Sequence, residues 1–302
     1  MTLPKDYLIV LNKDADTVSF VNEVTKKIIN TIKVGRSPHE VSVTPKGHKA
    51  YVSCAGADHV EVFDMQKLKK STIIKHEQFR FPHESRVLPD GSKVILASTY
   101  ANKVFIIDVT KDEVSKVIDA RRMSHMVAIA PDGRHAYISN IGDNSVSILD
   151  TQSFDWVVHL PVGRRPEGIS ISPDGQWLYV ANQDDDSVYV IETATQSLVK
   201  RIQTDRVPIR VTFSPDGTFA FVPNREGNCV SIITTKNHQE IKRIPVGIWP
   251  GGTVFNAKGN RAYVANNKTN DISLIDVTAL KVIDTIDVGI HPDGMGFCRV
   301  LE

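Results

Sequence analysis

Three histidines stand at matching points of the chain, each next to a proline or serine: Pro38-His39-Glu40, Pro82-His83-Glu84 and Ser124-His125-Met126. Imidazoles delivered to one place by three separate segments could hold a divalent transition metal through their ring nitrogens and leave positions open for water or substrate. Glu40, Glu84 and Glu167, which takes the fourth matching position, are the candidate catalytic groups. A carboxylate beside such a centre can orient a ligand or act as general base. The plain alternative is that histidines lining a wet surface bond only to water. Two residues before the proline position comes a second series, Arg36, Arg80, Arg122, Arg164 and Arg206, broken by Ile248 and Ile290. Guanidinium groups pair bidentately with carboxylate or phosphate, so these arginines with Arg210 and Trp249 form a candidate ligand-binding set for a small anionic molecule. Its alternative is a solvated rim in which each arginine meets a neighbouring acid.

These positions match because the chain is built from one 42-residue unit, clearest from Pro161 to Ile202. Pro38, Pro82, Ser124, Pro166, Pro208, Pro250 and Pro292 are equivalent, with spacings of 44, 42, 42, 42, 42 and 42. A unit this short cannot bury its own apolar face, so seven copies predict one closed domain over residues 1–302 rather than two domains. Within a unit the order is regular. A Pro-Asp-Gly turn (89–91, 131–133, 173–175, 215–217) is followed by a β-rich run ending in a polar residue, usually Asn, and then by strands with period-two alternation. No segment carries the 3.6-residue apolar period of a helix, so the fold class is all-β. The N-terminal segment, Lys5 to Val34, holds three strand-like runs, and Gly294 to Leu301 matches the start of a unit. Six full four-stranded antiparallel blades and a seventh split between the termini would close the ring and remove its open sheet edges.

Tyr179-Val180-Ala181-Asn182, with the turn upstream and a V-x-V-I-E strand downstream, resembles the YVTN repeat, and the likeness covers nearly the whole chain. The resemblance implies a seven-bladed β-propeller, similar to those of surface-layer proteins, the cytochrome d1 domain and lactonases. It implies no single activity, because this fold hosts enzymes, cofactor cradles and binding scaffolds. On such a ring the Pro-His stretches and the loops between second and third strands share the face around the central channel. Strict alternation, however, puts residue 39 on the side of Val41 and Val43, between blades. An inward-facing imidazole therefore requires the backbone to turn at the loop end.

Charge is nearly balanced, 36 basic against 35 acidic residues, which removes the general field of a nucleic-acid binder. No apolar run is long enough to span a membrane, and Met1 to Tyr7 lacks the regions of a secretory leader. The expected location is cytoplasmic as written, or exported if a leader has been removed. Cys54, Cys229 and Cys298 lie in separate units without CxxC spacing, which argues against a disulfide framework or structural zinc. Cys54 replaces the terminal Asn of its unit, the Gln183 to Asp186 loop is acidic, and Lys75 to Phe81 lengthens one entry loop. Nucleophile elbows, phosphate-binding loops, HExxH and haem-attachment motifs are missing. Two functions remain open. One is a metal-assisted hydrolase or lyase of lactonase type acting on a small anionic molecule. The other is a noncatalytic ligand- or protein-binding scaffold.

Overall fold

The computed structural model describes residues 6–301, so Met1 to Lys5 of the leader reading lie outside the described residues. Seven four-stranded antiparallel sheets form a ring. Blade 1 comprises the strands Pro38–Val43, Lys49–Cys54, His59–Asp64 and Lys69–Lys75, running from the channel outwards. Blades 2 to 6 repeat this order, starting at residues 82, 124, 166, 208 and 250. Blade 7 joins both ends of the chain. Its innermost strand, Pro292–Arg299, pairs with Asp6–Asn12, followed by Thr17–Asn22 and Ile28–Lys33.

The expected turn chemistry is realised. In the Pro-Asp-Gly turns of blades 2 to 5 the Asp carboxylate accepts the backbone N–H two residues on, and the Gly takes φ of 72–75°, a region costly for residues with a Cβ. Apolar clusters lie between adjacent blades, as the repeat requires. One joins Tyr51 and Val62 of blade 1 to Leu96 and Phe105 of blade 2. Tyrosines of the second strands extend the join: Tyr51, at the YVTN-like position, donates to Asp112 of blade 2, and Tyr7, two residues earlier in its strand, to the Met65 carbonyl of blade 1.

A second ladder of polar residues sets the loops at the channel mouth. Asp16, Asp58, Asn102, Asn144, Asp186, Asn228 and Asn270 end the second-to-third-strand loops in the left-handed region, with φ of 47–61°, which Asn and Asp tolerate best among residues with side chains. Each side chain accepts, at 2.7–3.0 Å, the N–H of the residue just before the next blade's proline position. Every blade thus pins the entry loop of its successor. The stretch carrying the candidate histidines is held from behind by the preceding blade.

Candidate functional site

A β-bulge resolves the parity problem. In blade 1 Pro38 pairs with Cys54 and Glu40 with Ser53, so His39 is the extra residue; the first two residues after the proline position are displaced likewise in blades 2, 3, 4 and 6. A bulge re-aims the side chains on its strand. His39, Glu40, His83, Glu84, His125, Glu167, Arg210 and Asp293 are all at most 8 % exposed, and contacts among them tie blades 1, 2, 3, 4, 5 and 7 into one polar layer across the channel. Close approach makes this possible: a Cβ on Gly294 would collide with the His39 carbonyl.

Arg210 is the hub. It lies 2.5 Å from Glu40 and 3.3 Å from Glu167, joining blade 5 to blades 1 and 4. Burial favours its neutral form, but Glu40, Glu167 and Asp293 outweigh this and hold it charged. Glu167 also receives the side-chain amide of Gln183 and lies 3.3 Å from Nε2 of His125, whose Nδ1 is 2.9 Å from the Thr99 hydroxyl. Because the carboxylate only accepts, Nε2 carries a proton towards Glu167. Burial raises the pKa of Glu167, yet His125, Arg210 and Arg225 overcome it and keep the carboxyl ionised well below its ordinary range. Asp293 behaves in the same way beside His39, Lys13, Arg210 and Arg225.

Other members of the layer are pushed towards neutrality. Burial lowers the pKa of His39 to about 3 against the opposing pull of Asp293, and burial with two neighbouring histidines lowers that of His83. Burial drives Glu84 up to about 8 although Arg86 lies 2.8 Å away, and raises Glu40 against Arg210. Glu84 is therefore held towards its neutral form. Lys13, Arg86 and Arg225 border a layer in which Arg210 faces the carboxyls of Glu40, Glu167 and Asp293. Six buried polar atoms in and beside the layer have no hydrogen-bonding or ion-pair partner among the described residues: Nδ1 of His39 and His83, Oε2 of Glu84, Nε of Arg210 and Arg225, and Oδ1 of Asp293.

The three histidines do come together, ring against ring. His83 and His125 stack with centroids 3.6 Å apart and an interplanar angle of 26°, and His39 meets His83 edge-on at 4.6 Å. Both ring nitrogens of His125 are engaged, by Thr99 and Glu167, and the Lys13 ammonium lies 3.3 Å from His39 Nε2. In this packing the trio offers no common point to a cation. Among the described residues, the group of metal-ligating atoms lying within 4.8 Å of one another is a different one, Cys54, His59 and Glu61.

The rim arginines lie outside the layer. Arg36, Arg80, Arg122, Arg164 and Arg206 are exposed. Four of them fold back onto local loops: Arg80 onto the Glu77 and Phe79 carbonyls, Arg122 onto the Gly142 carbonyl, Arg164 onto Asp185, and Arg206 onto the Glu226 carbonyl. Trp249 stands at the rim with the Lys268 ammonium 3.7 Å from its ring centroid and Arg225 at 5.9 Å. The long loop of blade 2 divides its roles: Phe79 is buried against Phe105, whereas Phe81 packs on His39 and His83 at the mouth.

Sequence reasoning missed a complementary ring. The residue after each terminal Asn, Ser or Cys of the second strand also faces the mouth, and there Lys13 meets His39 and Asp293, Thr99 meets His125, and Gln183 meets Glu167. Arg225 and Asn267 occupy the same position in blades 5 and 6. The signal was available in the same alignment, one residue beyond the Asn ladder.

The model of the seven-bladed β-propeller lactonase family matches residues 92–209, and that of YNCE-like β-propellers matches residues 176–300. The chain is a seven-bladed β-propeller. Among solved structures this propeller is similar to hydrazine synthase of Kuenenia stuttgartiensis, at 22 % identity and TM-score 0.83 over 90 % of this chain and 92 % of that one. It is also similar to a putative 6-phosphogluconolactonase of Bacteroides fragilis, at 17 % identity and TM-score 0.80 over 98 % and 99 %. A dihydro-haem d1 dehydrogenase shares 18 % identity at TM-score 0.73 over 95 % of this chain and 64 % of its own. At these identities the likeness shows the fold. No curated protein sequence matches the chain.

Proposed function

We propose that the protein binds a small anionic molecule at the mouth of the channel and acts on it as a lactone hydrolase or lyase. The observation that carries this reading is the buried polar layer, bordered by the Lys13, Arg86 and Arg225 cations and holding six polar atoms without partners among the described residues. Buried donors left unpaired are costly, and a ligand carboxylate or phosphate would satisfy them. Lys13 and Arg225 border the mouth, with Trp249 beside Arg225 as an apolar wall. His125 supplies the acid–base group. A water exchanging for the Thr99 hydroxyl at Nδ1 would face an imidazole whose other nitrogen is already held by the Glu167 carboxylate, the arrangement a general base requires. The lactonase family match over residues 92–209, which contains Thr99, His125 and Glu167, favours the hydrolytic version.

A metal-assisted version would need His83 and His125 to leave their stack and turn nitrogens towards one ion; the ion would then activate water as a Lewis acid. The scaffold reading draws support from the rim arginines, which are tied to their own loops. Three measurements on purified protein separate these readings: elemental analysis, a melting screen against organic acids, sugar phosphates and divalent metals, and proton release from sugar-acid lactones with and without chelator. Chelator-resistant hydrolysis lost in His125→Ala supports the proposal. Anion binding without turnover leaves the scaffold reading, and an absence of anion binding overturns both.

A further inference from the structure

In four blades the terminal Asn of the second strand does the same structural work. Its side-chain amide donates to the residues five and seven positions on: Asn12 to Thr17 and Ser19, Asn140 to Ser145 and Ser147, Asn224 to Cys229 and Ser231, and Asn266 to Asp271 and Ser273. In those four blades three side chains thus meet at one corner. In blade 1 all three are replaced at once, by Cys54, His59 and Glu61.

We propose that this corner of blade 1 is a binding site for one borderline-soft divalent cation, zinc by its donor chemistry, held by the Cys54 thiolate, His59 Nε2 and the Glu61 carboxylate. The three ligand atoms already lie within 4.8 Å of one another, and His59 Nε2 is 3.1 Å from Glu61 Oε1. Ligands around a tetrahedral zinc at bond lengths of about 2.0–2.3 Å are separated by roughly 3.5 Å, so a contraction of about an ångström closes the set. Sulfur, imidazole nitrogen and carboxylate oxygen together suit zinc or cobalt(II) and are a poor match for magnesium or calcium. Cys54 and Glu61 are buried, and the His59 side chain is 13 % exposed, which gives the ion a route in and leaves the fourth position to water.

Neighbouring groups define what binding must displace. The Lys70 ammonium pairs with Glu61 Oε2 at 2.8 Å and is a third exposed, so it can swing to solvent as the cation takes its place. The Gly35 N–H donates to Glu61 Oε1. Binding as thiolate releases the Cys54 thiol proton. The site is independent of the channel layer and of any activity there.

The test uses the whole protein, stripped with chelator and titrated with cobalt(II) and then zinc. One equivalent of cobalt should give a near-ultraviolet thiolate-to-metal band, and zinc should abolish it and raise the melting temperature. Cys54→Asn, which restores the residue used by the other blades and should fold, loses the band and the shift. His59→Ala weakens binding at least tenfold. Cys229→Ser, Cys298→Ser and the His39/His83/His125 triple Ala variant keep both signals. Absence of a thiolate band at one equivalent, or its persistence in Cys54→Asn, overturns the proposal.

Discussion

The two halves of the central channel are built from the same seven inner strands and differ in kind. Towards the Pro-Asp-Gly turns the wall carries the larger apolar side chains, with Val127, Ile129, Ile171, Phe213, Phe255 and Met295 around a cavity of about 530 Å³ whose lining also includes Glu40, Arg86, Arg210 and Thr212. At the other end the first two residues after each proline position form the buried layer of imidazoles, carboxylates and one guanidinium. Residues of the apolar half follow the repeat, because in every blade they meet the same neighbours. The layer departs from it at almost every position. A ring of equivalent units needs no charge at its axis, so charged groups concentrated at one height mark the place where the chain does something besides fold.

The comparison can be broken most forcefully at Arg210. Replacing it with Met leaves Glu40 and Glu167 buried without their shared cation and should cost about 3–5 kcal/mol in denaturant unfolding. Making both acids Gln in the same chain should recover much of the loss, which would show that the penalty is electrostatic. In the loops that aim the layer, Asp186→Ala removes the acceptor for the Val207 N–H and puts Ala at φ of 47°. That change should destabilise by about 1–2 kcal/mol. In the apolar half, Ile169→Val should cost about 0.5–1.5 kcal/mol and leave ligand binding unchanged.

Acidity separates the halves further. The pKa of Glu84 is raised in the folded protein, so its contribution is present in full below about 4.5 and is lost as pH rises towards about 8. Glu84→Gln should flatten the decline of unfolding free energy with pH over that window. Glu167 and Asp293 have lowered values and act with the opposite sign: their stabilisation is present above the ordinary carboxylate range and fades as pH falls below it. A Glu84→Gln profile as steep as that of the wild type would contradict the assignment of a neutral carboxyl.

The fold was legible because 42-residue periodicity, Pro-Asp-Gly turns and a split last unit each have one physical solution, and the pairing of Pro292–Arg299 with Asp6–Asn12 is that solution. Most of the layer was legible too. His39, His83, His125, Glu40, Glu84, Glu167 and Arg210 fall next to the repeating proline and do meet in the channel. What alternation could not reveal was the bulge, because it changes the direction of His39 without changing its residue type. Lys13, Thr99 and Arg225 were missed for another reason: they follow a residue that holds a hairpin corner, and they read as ordinary loop, while Gln183 stood out only as part of an acidic loop. The arginine series shows the converse. Regular spacing put Arg36, Arg80, Arg122, Arg164 and Arg206 on one rim, but a long side chain at an exposed turn finds the nearest carbonyl or carboxylate, as Arg122 and Arg164 do.

The claim at the centre of this account is that the polar end of the channel receives an anion and the apolar end does not. Calorimetric titration of the wild type, Arg225→Met and Ile169→Val with small carboxylates and sugar phosphates tests it most directly. The account predicts saturable binding of one anion per chain, weakened at least tenfold in Arg225→Met and unchanged in Ile169→Val. Binding that survives Arg225→Met but is lost in Ile169→Val would contradict it, as would no binding at all.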